Sequence, residues 1–444
     1  MSVGDRTRAL GRWLVARTPR QILCTAWIVF GLGCYPGYLS TDSVLQLYTV
    51  RSGAYTDYSP VMSAVWGALE YVSAGPFPML ALQSGLLLFG LYALLRRVLV
   101  PRAAAITAGA ILLFPPVFAV MAVIWPDPFM AAMLIAGFAA VLEQRRGWRI
   151  AGTVMLVIAL ATRPEIVLAL IPLALVVVGR ATTAAWWKRT AIALGLVVAL
   201  ALTARVADHL LVERDTYFWQ QQLEVMDTVG TIRRAKLKKV EVLEAAFAGM
   251  PFADIQQLKP RLIASSDALN WWPLSNGDKR LFDLITIDTE SRALSADWRA
   301  AITKHLRGYL RHRKSVAKAL LGLGGSFSAV YDSFGDPDLM SPLHHRASTS
   351  DWERSWQMIV RAVDKTPLCR PWLYLIAAIA AIVLARRKPL LRALAISGIA
   401  YELTLFVLAP LSDYRYSHLL VTMTCTALAA LAVLRTWGVE SGDG

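Results

Sequence analysis

The chain has 444 residues, 56% of them hydrophobic and only 17% charged, with a mean hydropathy of +0.48. That composition excludes a soluble globular fold, which needs more polar cover than these residues can supply. The formal net charge of +15 sits mostly in short clusters beside apolar runs. It reads as a topology signal and as contact with anionic lipid headgroups, not as a nucleic-acid footprint.

Ten apolar runs suit helices crossing ~30 Å of hydrocarbon. In chain order they cover 21–39, 78–97, 103–123, 128–142, 150–162, 165–179, 190–208, 370–385, 390–409 and 417–436. The first run, from Ile22 to Leu39, has no small-residue cleavage site and reads as a retained span. The fifth and sixth are short and meet at Thr162-Arg163-Pro164-Glu165. Proline breaks a helix there, which predicts two half-length helices turning within the membrane beside a polar cavity.

Lysine and arginine in the connections separate into about nineteen on one side and three on the other. The three are Arg51, Arg163 and Arg415. The rich side is cytoplasmic by the positive-inside rule. The predicted fold is therefore an all-α polytopic membrane protein with about ten spans, two of them short. Its modules are 1–208, with about seven spans, 209–369, a mainly helical external domain, and 370–444, with about three spans. Helical stretches are expected at Ala235–Phe247 and Ser295–Leu321 within the external domain. The basic run from Arg233 to Lys239 suits a solvated helix face or a lipid-binding one.

Cys24, Cys34, Cys369 and Cys425 form no C-x-x-C pair, so no disulfide framework is expected. No N-x-[ST] sequon occurs, which favours a bacterial over a glycosylated eukaryotic origin.

The unusual polar residues all fall on the external side. Asp42 follows the first span in Thr41-Asp42-Ser43. Asp57 and Tyr58 precede Ser59-Pro60. Asp127 sits in Trp125-Pro126-Asp127, between the third and fourth spans. Arg163 and Glu165 flank Pro164, and Asp413, Arg415 and Tyr416 lie in Asp413-Tyr414-Arg415-Tyr416 before the last span. Charges at membrane depth are costly and usually mark a functional pathway. Each also has a plainer use. Asp42 suits a cap for a helix over Ser43–Val50, Asp127 a cap for the fourth span, and Asp57 a turn. Arg163 suits snorkelling to headgroups, and Arg415 with Asp413 a local ion pair.

The order and sidedness of Thr41-Asp42-Ser43, Tyr58-Ser59-Pro60, Trp125-Pro126-Asp127 and Asp413-Tyr414-Arg415-Tyr416, with a soluble segment after span seven, resemble the GT-C superfamily of membrane glycosyltransferases. That superfamily includes protein O-mannosyltransferases and aminoarabinose transferases. The resemblance implies transfer of a sugar from a polyprenyl-phosphate carrier to an acceptor hydroxyl outside the membrane, with inversion. It implies Asp42 as general base and Asp127 as a second catalytic acidic residue. Arg163, Arg415, Tyr416, Asp57, Tyr58, Asp413 and Glu165 become the expected substrate contacts. A divalent cation, magnesium or manganese, is compatible with the carboxylates, though no metal ligand is assigned. Many relatives carry His before the loop proline where this chain has Tyr58-Ser59, so a contact made by that His is not transferred. The expected partners are the lipid-linked donor, a glycan, lipid or protein acceptor, and membrane lipids, in a bacterial inner membrane. A flippase for lipid-linked glycans and an envelope polysaccharide ligase or polymerase are the competing readings.

Overall fold

The computed structural model describes residues 17–235, 287–324, 328–331 and 350–436. Among the described residues the chain is all-α, with two isolated β-bridges, Tyr38 to Val123 and Thr56 to Arg214. Nine of the ten predicted spans each coincide with one helix. Among the described residues, five helices are long and apolar enough to cross a membrane, or six if one bent pair counts as one span. The protein is thus a multi-pass membrane protein.

The first layer comprises α1 (Pro19–Cys34), α2 (Thr41–Ser52), α3 (Pro60–Glu70), α4 (Phe77–Leu95), α5 (Pro101–Leu112), α6 (Pro115–Met121), α7 (Pro126–Val141), α8 (Arg146–Thr162), α9 (Val167–Ala181) and α10 (Trp186–Leu211). The predicted single span 103–123 is instead α5 and α6, bent by 66°. Pro115 and Pro116 follow the break. They offer no N–H to a preceding turn, and the ring of each disfavours helix at the residue before it.

The predicted half-length hairpin is also revised. Pro164 does break the helix, but α8 has 17 residues and Pro164–Ala181 forms an 18-residue candidate span. At ~1.5 Å per residue each approaches a full crossing. Helix α7 is the core of this layer, buried along its length from Pro126 to Ala140. Gly90 lets α4 lie directly on it, since a Cβ there would sit 2.6 Å from the Ala136 backbone nitrogen.

The inserted segment contributes α11 (Phe218–Arg234), α12 (Asp288–Lys304), α13 (Leu306–Leu320) and α14 (Asp351–Asp364). The expected helix over Ser295–Leu321 is two helices broken at His305, whose φ of −130° and ψ of 41° are not helical. The break lets both pack on α11. Gly308 permits the closer approach, where a Cβ would lie 2.8 Å from the Thr231 carbonyl oxygen. Past Ala235, the expected helix over 235–247 lies outside the described residues.

The last elements are α15 (Pro371–Leu384), α16 (Pro389–Leu408), a 3-10 turn over Tyr414–Ser417, and α17 (His418–Thr436). The turn brings Arg415 and Tyr416 to the ends of the first-layer helices.

Candidate functional site

The site is assembled by short backbone ties between segments far apart in sequence. Tyr38 N donates to the Ala122 carbonyl at 2.9 Å and Ile124 N to the Tyr38 carbonyl at 3.0 Å. Helix α2 then starts with a capping box made by Ser40 and Ser43. Ser43 Oγ also donates to the Ile124 carbonyl at 2.6 Å, and Trp125 Nε1 donates to Ser40 Oγ at 2.5 Å. These ties dock the start of α2 on the start of α7. Ser40 is the cap, so Asp42, in the first turn, is free to face another partner.

That partner is Arg415. Its Nη1 lies 2.5 Å from Asp42 Oδ2. Its Nε is 3.2 Å from Asp413 Oδ2 and 3.9 Å from Asp127 Oδ2. Asp127 in turn accepts from Arg163 Nη2 at 2.8 Å, and both side chains are almost fully buried. The structure thus gathers Asp42, Asp127, Asp413, Arg163 and Arg415 into one cluster. A buried pair of this kind needs close geometry to offset the loss of hydration. Here aromatic faces complete the shell. The Arg415 guanidinium lies 4.5 Å from the Trp125 ring centroid and 5.3 Å from that of Tyr416. Arg163 lies 4.2 Å from Trp219 and 5.6 Å from Tyr416. Cation–π attraction is strongest where water is excluded, as here.

Tyr58 belongs to the same shell. Its ring stacks on Trp219 with centroids 6.0 Å apart, and its buried hydroxyl has no hydrogen-bond partner among the described residues. Burial pushes this phenol well above its ordinary pKa, and the Asp42 carboxylate adds to the rise. The neighbouring Ser59 adopts a left-handed backbone with φ 50° and donates from Oγ to the Thr162 carbonyl at 3.1 Å. A non-glycine residue held in that region is strained, which marks a constrained site. It ties the Tyr58 loop to the turn that carries Arg163.

Asp57 is placed differently. Its carboxylate accepts from Thr216 N at 2.7 Å, from Thr216 Oγ1, and from Phe218 N at 3.3 Å. It therefore latches the first loop to the start of α11, with its oxygens turned to that backbone. Glu165 lies beside Arg163 on a small cleft that also contacts Trp219, Tyr401, Leu405 and Pro410. Its Oε2 is buried without a hydrogen-bond partner among the described residues.

Trp219 and Tyr331 were not expected from sequence. Tyr331 donates its hydroxyl to Asp413 and accepts from Arg415 N at 3.0 Å, and its ring meets Trp125 edge-on at 4.6 Å. Burial raises this phenol as well, with Asp413 as the second cause. Both residues come from the inserted segment, which carries no motif that marks them.

Among the described residues, no three His, Cys, Asp or Glu side chains are grouped to hold a metal ion. The Asp42, Asp127 and Asp413 carboxylates already face guanidinium groups. Among the described residues these carboxylates are therefore arranged for ion pairing with arginine, not as a divalent-ion site.

No protein-family model matches the chain, and no curated protein matches it. The solved structures similar to it include two of ArnT from Cupriavidus metallidurans. The undecaprenyl-phosphate-bound form is 16% identical at a TM-score of 0.34, covering 91% of this chain and 77% of that one. The apo form is 15% identical at a TM-score of 0.33, covering 95% and 78%. Overlap at that level assigns no role to any residue.

Proposed function

We propose that the protein is a membrane glycosyltransferase that moves a sugar from a polyprenyl-phosphate carrier to an acceptor hydroxyl on the extracytoplasmic side of a bacterial inner membrane. The observation that carries this reading is Arg163. It is buried and gives Nη2 to Asp127, while its Nε has no hydrogen-bond partner among the described residues. It also borders a cleft with aromatic and aliphatic walls. A phosphate on an apolar tail matches that pairing of a spare guanidinium donor with apolar walls.

The chemistry follows from the two carboxylates' different settings. The Asp42 side chain keeps about a fifth of its surface exposed, at 22%, whereas that of Asp127 keeps 1%. Asp42 is thus the one an acceptor can reach. It takes the proton of the acceptor hydroxyl as that oxygen attacks the anomeric carbon. The bond from the anomeric carbon to the phosphate oxygen breaks, and its electron pair leaves with the lipid phosphate. Arg163 and Arg415 stabilise the charge growing on that phosphate in a site shielded from water. Asp127 holds Arg163 in place. A single displacement inverts the anomeric configuration.

The test is transfer of radiolabelled sugar from a synthetic polyprenyl-phosphate donor by purified protein. Asp42→Asn should remove turnover while the protein keeps its elution profile and thermal midpoint. Wild-type turnover in that variant would reject Asp42 as the base.

A further inference from the structure

We infer that α13 lies in the plane of the membrane, at the boundary that carries the candidate site, and rests on anionic phospholipid headgroups. The inference stands on the membrane-spanning fold and is independent of glycosyl transfer.

Two contacts set the level of the helix. Arg313 Nη1 donates to the Ala409 carbonyl at 2.6 Å, just past the end of span α16. Eight residues on, the Leu321 carbonyl accepts from Trp372 N at 3.2 Å, at the start of apolar helix α15. Helices α15 and α16 are consecutive and antiparallel, so Ala409 and Trp372 sit at the same membrane boundary. Arg313 lies on α13 and Leu321 caps its C-terminus, so the two points are separated along the helix axis by ~12 Å. A segment touching that boundary at two such points runs along it.

The exposed face of α13 has the chemistry of that location. It carries Arg307, Arg311, Lys314 and Lys318, with Leu306 and Leu310 also exposed at 53% and 57%. The helix contains no acidic residue. None of its four exposed cations makes an ion pair among the described residues. At ~100° per residue, the two leucines fall within about 60° of Arg313, toward the spans, and the cations point about 100–160° away from it. Leucines facing hydrocarbon beside cations at phosphate level form the pattern of an interfacial helix. The opposite face is occupied. Gly308 lies against the Thr231 backbone and His312 against Gly230. Arg313 is also held by Asp227, 2.5 Å away. The cationic face is thus the one left for a partner. An anionic bilayer is complementary to its charge and continuous with the spans at both anchor points.

The full-length protein is reconstituted into nanodiscs of phosphatidylcholine alone or with phosphatidylglycerol, and amide hydrogen exchange is followed by mass spectrometry. Residues 306–320 should exchange at least about threefold more slowly in the anionic discs, an effect well within what four cations near an anionic surface supply. High salt should reduce the difference. Arg307→Gln, Arg311→Gln, Lys314→Gln and Lys318→Gln combined should abolish it, with an unchanged thermal midpoint in detergent as the control for folding. Equal exchange of wild-type protein in both lipids would overturn the inference without needing the variant. Protection by soluble polyphosphate added to neutral discs, with none from phosphatidylglycerol, would also overturn it and assign the face to an acidic polymer.

Discussion

The Arg415 guanidinium lies 2.5 Å from the Asp42 carboxylate, although 373 positions separate them in the chain. The same group also reaches Asp413 and Asp127. One cation therefore holds three carboxylates contributed by three different connections. Arg415 and its partners bring the first loop, the start of α7 and the last turn to a common point.

A planar fork holds such a set in a way that a point charge does not. Arg415→Lys should retain the charge and most of the stability, yet lower kcat by about two orders of magnitude, the scale on which losing one charge-stabilising donor is felt. Arg415→Ala should also lower the thermal midpoint, since three carboxylates are then left crowded. Kinetics with the labelled donor and thermal unfolding in detergent measure both. Equal kcat in wild type and Arg415→Lys would show that the fork geometry is not used.

The Asp127–Arg163 pair is buried on both sides, so its members should depend on each other. Removing one partner leaves the other buried with only weaker compensation, Arg415 3.9 Å from Asp127 or Glu165 beside Arg163, at a cost of up to about 3–5 kcal/mol. Asp127→Ala and Arg163→Ala should each lower stability strongly. The Asp127→Leu, Arg163→Met double variant should recover much of the loss, because it removes both charges and restores volume. Unfolding midpoints of the three variants test this coupling, and simple additivity would contradict it.

Sequence reached the helices and the main charged residues because both depend on local signals. Apolar runs locate the spans, and charges beside prolines stand out where hydrocarbon should be. It missed features that depend on packing. The bend at Leu113 and Phe114 lay inside one apolar run. Asp57 looked like its neighbours in sequence but serves as a latch, since only folding brings the Thr216 backbone to it. Ser40, rather than Asp42, caps α2. The spacing of Ser40 and Ser43 held that information, but the adjacent acid was the stronger cue. Trp219 and Tyr331 reach the cluster from the inserted segment, where neither periodicity nor motif distinguishes them.

Glu224, on α11, gives a pH dependence whose sign is fixed. Burial raises its carboxyl above the ordinary range, while hydrogen bonds from Ser295 and Gln220 oppose the rise. The folded protein therefore holds this proton more tightly than the unfolded chain. The associated stability is fully present below the ordinary Glu value near 4.5 and is lost as pH rises through the higher folded value. Glu224→Gln should flatten this part of the profile and raise the thermal midpoint at neutral pH relative to wild type. Midpoints measured from pH 4 to 8 in one detergent give the difference. A profile for the variant parallel to that of wild type would show that Glu224 does not titrate in this way.

Ser40 connects stability to the placement of Asp42, the proposed base. Its hydroxyl caps α2 and accepts the Trp125 indole N–H. Ser40→Ala removes both roles. Loss of the cap costs about 1 kcal/mol, and an indole left without an acceptor adds about 1–3 kcal/mol. Asp42 lies two residues further on, and Trp125 is the face on which Arg415 rests. The substitution should therefore lower kcat more than the modest loss of stability would suggest. Ser40→Thr retains the hydroxyl and should restore both properties. If Ser40→Ala shifted the thermal midpoint but left kcat unchanged, the α2 start would be a structural cap with no influence on where Asp42 points.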